Sequence, residues 1–318
     1  MHTTVIIVTY GDRFHLLEKV VRSCFLEDVS KIIVIDNNSE EKSKTKLLAL
    51  SKDYKENIKV IWNEANLGSA KAFKQGLNEA NSRKESEYIW LLDDDNKPNK
   101  NSLKILKDYW AVKPTNVHAL LSYRPDRSQY KQAIEEDNPE LVLSWENSFS
   151  GFHFFEKISR PFKRKKEKLN IQIGEIAYAP YGGIFFHVSI LELIGYPDED
   201  YFLYSDDHDW TYRITNKGMK IHLLLDSVVD DIDTSWAIKD GGSSIFAKIK
   251  KAPSLRVYYT IRNRIVFEKK YLISNRLVYS LNRLLFTFFI TIYAYNTINY
   301  KVFLRAVNDA KNNNLVKF

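Results

Sequence analysis

The stretch YIWLLDDD, residues 88–95, places three consecutive carboxylates directly after a run of large apolar residues. Residues 88–92 have the length and composition of a buried strand. Because alternate residues of a strand point to the same side, Asp93 and Asp95 are expected to face one spot, where their charges repel unless a cation lies between them. Oxygen ligands suit hard divalent ions such as Mg²⁺ and Mn²⁺. The stretch therefore predicts a divalent-metal site at the end of a strand, with a solvated acidic turn as the alternative interpretation.

Three more buried strands precede this one and alternate with helical segments. They are predicted at residues 4–10, 31–36 and 58–62. The segment after Asp12, which is expected to cap it, repeats its apolar residues at helical spacing, and another helix opens at residues 66–68. Such alternation predicts an α/β fold with a mostly parallel sheet flanked by helices, whose ligands bind beyond the carboxyl ends of the strands. The polar residues at those ends are Thr9, Tyr10, Asp36, Asn37 and Asn66, besides the three aspartates.

The remainder of the chain divides into an irregular part and a helical part. Residues 124–150 are polar and are predicted to form a loop near the site, whereas a helix is expected over residues 206–216 and a strand over 220–225. From residue 252 onward the sequence is helical in pattern, aromatic and basic. The expected domains are residues 1–250, with a nucleotide-binding half at 1–100 and an acceptor half at 101–250, followed by a helical appendage at 251–318.

Composition excludes several kinds of protein. The single cysteine, Cys24, rules out a disulfide framework or a cysteine-based metal site and favours a reducing compartment. No targeting signal is visible, and the longest apolar run, residues 284–298, is shorter than the roughly 20 residues of a membrane span. We therefore expect a cytoplasmic protein. The net charge of +7 predicts an anionic partner, and the surplus lies in residues 157–170 and 248–283.

Short motifs follow one another in a fixed order along the chain. They are VIIVTY at 5–10, VIDNNS at 34–39, NLG at 66–68, LLDDD at 91–95, GG at 182–183, DDHDW at 206–210 and RVYYTIRN at 256–263. Over residues 3–270 this set resembles glycosyltransferase family 2, whose members are inverting enzymes of the GT-A fold. The last motif resembles a stretch of the rhamnosyltransferase and galactofuranosyltransferase branch of that family. The resemblance implies a metal-dependent hexosyltransferase.

The resemblance also implies which residues bind the donor, a UDP- or dTDP-linked sugar. They are Thr9, Tyr10 and Asp36 at the base and ribose, Asn66 and Gly68 in a turn close to the nucleotide, and Asp93 with Asp94 near the ribose and diphosphate. Asp36 and Asn66 keep an alternative role as helix caps. Asp93 and Asp95 would hold Mn²⁺ or Mg²⁺ on the donor diphosphate.

In this branch of the family, a histidine usually completes the metal site after a later strand. Asp231 stands at that position here. An aspartate can coordinate either ion, so Asp231 is the predicted third ligand; loss of that ligand is the alternative. His208 and His222 are the other candidates, and each also suits a structural role.

Inverting transfer needs a general base that takes the proton of the attacking hydroxyl group. In the family this base is a carboxylate at the start of a helix, and within residues 206–209 Asp207 fits best, with Asp206 and Asp209 as rivals. A merely acidic helix N-terminus is the structural alternative. The resemblance places Gly182, Gly183, His208 and Trp210 on the acceptor side.

The expected acceptor is a glycan or a lipid-linked glycan. The basic and aromatic residues 272–300 suit either peripheral binding to the anionic inner face of the cell membrane or packing against another subunit in a homo-oligomer. A sugar-nucleotide pyrophosphorylase is the second enzyme hypothesis, but residues 9–13 lack the glycine-rich basic loop that it needs. A non-enzymatic anion- or nucleic-acid-binding protein is the third, and no nucleic-acid motif accompanies the basic patches. The absence of G-x-G-x-x-G argues against a nicotinamide dehydrogenase.

Overall fold

The computed structural model describes residues 1–82, 86–159, 169–233, 244–315 and 317–318, and within these ranges nine strands form one sheet. The strands are β1 (Thr3–Gly11), β2 (Lys31–Ser39), β3 (Ile58–Trp62), β4 (Tyr88–Asp93), β5 (Asn96–Pro98), β6 (Val117–Tyr123), β7 (Ile173–Ile176), β8 (Ile184–His187) and β9 (Lys220–Asp231). The helices are α1 (Phe14–Leu26), α2 (Glu41–Asp53), α3 (Gly68–Ser82), α4 (Ser102–Val112), α5 (Ser128–Glu135), α6 (Phe154–Ser159), α7 (Ile190–Ile194), α8 (Asp206–Asn216), α9 (Ile245–Lys251), α10 (Ser254–Tyr271), α11 (Arg276–Ala294) and α12 (Ile298–Lys311).

The first four strands form the parallel part of the sheet, in the order β3-β2-β1-β4. Beyond β4, strand β8 is antiparallel to both of its neighbours, and β9 runs parallel to β6. Strands β5 and β7 are antiparallel to β9. The predicted α/β class is therefore confirmed, and the sheet is parallel in its first half and mixed beyond. Because the parallel strands end at one edge, Thr9 lies beside Asp36 and Val8 beside Asp93.

Helices cover both faces of the parallel strands, which explains why these strands are apolar without alternation. On one face, α1 packs Leu17, Val21 and Cys24 into a core that also contains Val5 and Ile7 of β1. On the other face, α3 approaches β1 so closely that a Cβ atom at Gly76 would lie 2.4 Å from Ile6 Cγ2. The alternating residues of β1 are thereby buried on opposite sides.

The chain forms two compact units. The first contains all nine strands. The second consists of residues 143–166, 200–206 and 238–318. Besides the residues 251–318 expected for the appendage, it therefore takes in residues 238–250 and two earlier segments. Its core is built on aromatic side chains of α10 to α12 and of residues 149–152, among them Phe149, Phe286 and Phe303.

Three local expectations are corrected by the structure. Asp12 does not cap α1, because its carboxylate accepts a hydrogen bond from Ser43 Oγ at 2.9 Å. Residues 124–150 are not one loop, since they contain α5. Strand β9 continues past residue 225, because its outer half pairs with β5. Most of the basic segment 157–170 lies outside the described residues.

Candidate active site

The acidic cluster follows the carboxyl end of β4, in the first unit. Asp93 ends the strand and keeps 42% of its side chain exposed. Asp94 is buried and turned inward, and its carboxylate accepts hydrogen bonds from Thr9 Oγ1 at 2.7 Å and from Arg13 Nε at 2.9 Å. The side chains of Thr9 and Asp94, both predicted to contact the nucleotide, are therefore occupied in fixing the turn. Asp95 accepts from Asn96 Nδ2 at 2.8 Å.

Arg13 holds this cluster together. Besides Asp94, its guanidinium contacts Asp95 Oδ2 and Asp233 Oδ2, each at 2.6 Å. Burial works against the charge on Arg13, but the three carboxylates outweigh it and raise its pKa above the ordinary value. Arg13 is therefore a fixed cation that joins the end of β4 to the chain beyond β9. Its neighbour Tyr10 is 41% exposed, and its ring lies 5.3 Å from the guanidinium carbon.

Arg124 holds the other side of the cluster and follows directly after β6. It is 4% exposed, donates to Asp231 Oδ2 at 2.7 Å and to Asn96 Oδ1 at 3.1 Å, and lies 3.7 Å from Asp93 Oδ2. Asp231 reaches this place because β9 pairs with β5, where its partner across the sheet is Asn96. The structure thus brings Asp93, Asp95 and Asp231 to one edge of the sheet.

The carboxylates of this cluster outnumber its guanidiniums, and the pKa values of three of them are raised. Although 42% of the Asp93 side chain is exposed, the surrounding protein atoms desolvate its carboxylate and raise its pKa. The nearby charges of Asp207 and Asp231 raise it further against the opposing effect of Arg124. Burial and Asp93 likewise raise the pKa of Asp95. For Asp94, burial raises the pKa to about 7 even though Arg13 lowers it. An added cation would relieve this repulsion.

The donor set fits a divalent ion that is shared with a substrate. Among the residues that the structure describes, no three carboxylate, imidazole or thiol groups come together as a complete metal cage. Mg²⁺, however, usually takes only one or two protein carboxylates and completes its shell with phosphate oxygens and water. Asp93 and Asp95 supply such a partial set, with Asp231 beside them. His222 is directed elsewhere, because its Nδ1 lies 2.8 Å from Tyr109 Oη.

Gly182 and Gly183 lie against this cluster. A Cβ atom at Gly182 would lie 1.8 Å from Asn96 Oδ1 and 2.9 Å from Arg124 Nη1, so only glycine fits there without displacing them. Gly183 has φ of +105°, and its carbonyl accepts from the Ser122 amide at 3.0 Å. The diglycine predicted for the acceptor side therefore gives the cluster the space that it needs.

The carboxyl end of β2 and the start of α3 are organised by asparagines. Asn66 Oδ1 accepts from the Gly68 amide at 2.9 Å, which forms the turn that opens α3, and Gly68 has φ of +81°. Asn37 Oδ1 accepts from the Leu67 amide at 2.9 Å and ties this turn to the end of β2. Asp36 is fully buried; its Oδ1 accepts from the Ser39 amide, and its Oδ2 is without a hydrogen-bond partner in the described part of the chain. Asp36 thus stabilises the end of β2 through a buried hydrogen bond to the backbone.

Residues 206–209, here called the acidic knot, begin helix α8. Asp209 is 1% exposed and bonded to Arg213 Nε at 3.1 Å, and Trp210 is buried with its indole donating to the Gly195 carbonyl at 2.9 Å. These two residues therefore anchor α8 and are closed to an acceptor. Asp206 is also buried, at 2% exposure.

Asp207 is the carboxylate of the knot that stays open, with 19% of its side chain exposed. Its Oδ1 accepts from the amide of His208 at 2.9 Å, and the His208 ring packs against Tyr178 with centroids 4.1 Å apart. The negative charge of Asp207 helps to raise the pKa of Asp93, so Asp207 interacts electrostatically with the cluster at the end of β4.

Sequence reasoning did not identify Arg13, Arg124 or Asn96, and it placed Asn37 at the end of a strand without giving it a role. Asn96 follows the three aspartates directly, so its position alone could have suggested it, whereas the strand that precedes Arg124 was not predicted. The pairing of Arg13 with Asp233 joins residues 220 positions apart and leaves no local signal.

Known proteins resemble this chain in sequence and in fold. The dTDP-rhamnosyl transferase RfbF of Shigella flexneri is 22% identical over 270 residues, which cover 83% of this chain and 79% of that protein. The mannosyltransferase PcManGT of Pyrobaculum calidifontis, solved with GDP-Man and Mn²⁺, has a TM-score of 0.51 at 15% identity. The match covers 99% of this chain and 87% of the mannosyltransferase. GalNAc-T7, solved with UDP, GalNAc and Mn²⁺, has a TM-score of 0.55 at 17% identity; 85% of this chain matches 48% of that one.

These structural matches confirm the predicted GT-A fold. The model of one family, described as Glycosyl transferase family 2, matches residues 4–195, which contain β1 to β4, the acidic cluster and the diglycine. That match spans more than half of the 318 residues. The chain is a glycosyltransferase and belongs to glycosyl transferase family 2.

Proposed function

We propose that the protein is a metal-dependent, inverting glycosyltransferase that moves a hexose from a nucleotide-sugar to a glycan or lipid-linked glycan, with Asp207 as the general base. The observation that carries the proposal is the state of the acidic knot. Asp206 and Asp209 are buried, whereas Asp207 is partly exposed and its charge acts on Asp93 at the end of β4. A base has to reach both the acceptor and the donor, and the partial exposure of Asp207 together with its effect on Asp93 supports this role.

The proposed transfer is a single displacement at the anomeric carbon, in which one bond forms as another breaks. The acceptor oxygen forms a bond to the anomeric carbon while the bond from that carbon to the diphosphate oxygen breaks. The acceptor proton goes to the Asp207 carboxylate, and the nucleoside diphosphate leaves with the bonding electrons. Because attack and departure take place on opposite faces of the sugar, the anomeric configuration inverts.

The negative diphosphate has to be held beside several carboxylates. Asp93 and Asp95, with Asp231, would hold Mn²⁺ or Mg²⁺, and the ion would stabilise the charge of the leaving diphosphate. Arg13 and Arg124 meanwhile keep these carboxylates in place through contacts of 2.6 Å and 2.7 Å. The presence of Mn²⁺ in the two solved structures named above supports this assignment.

The donor is proposed to be a dTDP- or UDP-linked sugar, with rhamnose favoured over galactofuranose. The support for rhamnose is the similarity to the dTDP-rhamnosyl transferase RfbF. Structures solved with UDP and with GDP-Man support a nucleotide-linked donor in general.

The test compares Asp207→Asn with Asp95→Ala and with Asp108→Asn, an exposed carboxylate on α4, as a matched control. Nucleotide binding is measured by thermal shift with UDP, dTDP and GDP, with and without Mn²⁺, and transfer by nucleotide release from the sugar donor. Asp207→Asn should keep binding and lose transfer, Asp95→Ala should lose the Mn²⁺-dependent part of binding, and Asp108→Asn should change neither. Normal transfer by Asp207→Asn would show that the base is another group.

A further inference from the structure

Helix α11 presents two apolar faces, and its own unit covers one of them. Phe286 and Ile290 are fully buried in the core of the second unit. On the opposite side, large apolar residues stand exposed at spacings of three and four, which places them on one stripe. They are Leu277 at 82%, Leu281 at 40%, Leu284 at 64%, Phe288 at 57% and Ile292 at 63% exposure. An apolar stripe of this size and continuity marks a surface that another body covers.

Charge around the stripe indicates what that body is. Between Glu268 and Asp309 the sequence contains no acidic residue. It contains six cations, namely Lys269, Lys270, Arg276, Arg283, Lys301 and Arg305. Arg276 and Arg283 are exposed on α11 itself. A second copy of the chain would bring an equally positive surface against this one, whereas an anionic lipid surface would neutralise it.

The buried face shows how the helix would lie. By length and composition alone, α11 is the one helix among the described residues that could cross a membrane. Its inner face is nevertheless fixed to its own unit, because Asn282 donates to the Asn147 carbonyl at 2.9 Å and accepts from the Phe154 amide at 2.9 Å. A helix held in this way can insert one stripe into a bilayer surface but cannot be surrounded by lipid.

We propose that the outer face of α11 docks in the plane of an anionic bilayer, with its apolar stripe among the acyl chains and its arginines at the phosphates. This surface lies wholly within the second unit and does not depend on the proposed sugar chemistry. It would bring the enzyme to the surface at which lipid-linked molecules are found.

The test is co-sedimentation of the full chain with vesicles of phosphatidylcholine alone and of phosphatidylcholine mixed equally with phosphatidylglycerol. The wild type should pellet with the mixed vesicles and be released by high salt. Leu284→Glu and Phe288→Glu should each lower the bound-to-free ratio by about tenfold or more, since a charge replaces an inserted apolar group. Leu26→Glu, at an 86% exposed leucine on α1, is the matched control and should pellet like the wild type.

Three results would overturn the proposal. The first is a wild type that pellets with neither kind of vesicle. The second is a wild type that forms a dimer in analytical ultracentrifugation and loses it through Leu284→Glu, which would make a second copy the occupant. The third is protein that only detergent releases from the vesicles, which would indicate a spanning helix. Circular dichroism of each variant keeps misfolding apart from loss of docking.

Discussion

A single methyl group at residue 182 should disable the site without replacing a charged residue. In Gly182→Ala, the new Cβ would lie 1.8 Å from Asn96 Oδ1 and 2.9 Å from Arg124 Nη1. Ordinary contacts of this kind are about 3.5 Å or longer, so Asn96 would have to retreat by more than about 1 Å. It is fully buried and bonded to Arg124, to Asp95 and to the Asp93 amide, so its displacement moves the groups that fix the carboxylates.

The magnitude follows from this geometry. Displacement of catalytic groups by about 1 Å costs roughly 100-fold in rate, and overpacking of a buried position costs about 1–3 kcal/mol in the free energy of unfolding. We therefore expect Gly182→Ala to lower transfer about 100-fold and to weaken Mn²⁺-dependent nucleotide binding.

Gly174→Ala is the control, because its Cβ would lie 2.6 Å from Ile134 Cβ, in the core of the same unit. It should lose a similar amount of stability and keep its rate per folded molecule. Rates are measured as nucleotide release, and the folded fraction by thermal melting. If Gly182→Ala transfers sugar at the wild-type rate, or if Gly174→Ala slows transfer equally, the reasoning about Asn96 and Arg124 is wrong.

Three further predictions concern stability and reactivity. Burial lowers the pKa of His222, so the unfolded chain binds more protons than the folded one below pH 6.5. The stabilisation that is present above pH 6.5 is therefore lost as the pH falls through the lowered pKa. His222→Gln should reduce the fall in melting temperature at acid pH, whereas His15→Gln, at an exposed histidine, should not. On α11, Phe286→Ala should cost about 3–5 kcal/mol in urea unfolding and Phe288→Ala less than about 0.5, and equal losses would contradict the assigned faces. Cys24 is buried and its thiol pKa is raised, so a disulfide reagent should label it only after denaturation, and rapid labelling of the native protein would disprove this.

The fold was predictable because its main signals are local. The parallel strands are mostly apolar runs followed by polar residues, and the flanking helices α1 and α3 repeat their apolar residues at helical spacing. The mixed half of the sheet is less visible, since β8 and β7 are only four residues long. The division into units was also hidden, because residues 143–166 and 200–206 join the second unit through packing that their own sequence does not record.

The candidate site was predictable only as far as acidic residues at strand ends indicate it. Asp93, Asp95 and Asp231 do reach one edge, but Asp94 turns inward to Thr9 and Arg13, and Asp209 turns to Arg213. Which member of an acidic run faces solvent depends on partners that are distant in sequence. Burial and pairing are tertiary properties, so a run of carboxylates predicts where a site lies more reliably than which atoms it uses.

The distribution of charge explains how an acidic site and a positive protein coexist. The carboxylates at the edge of the sheet hold two arginines so firmly that these behave as part of the framework, and neither guanidinium is left to neutralise a diphosphate by itself. Under the proposed function, a negatively charged donor would need additional positive charge at this site, and a divalent ion would supply it. The cations of α11 are different, because the sequence contains no acidic residue between Glu268 and Asp309 and because Arg276 and Arg283 are exposed. The paired charges of Arg13 and Arg124 stabilise the structure, whereas the exposed charges of Arg276 and Arg283 are placed to attract an anionic partner. The net charge of +7 includes both kinds of cation.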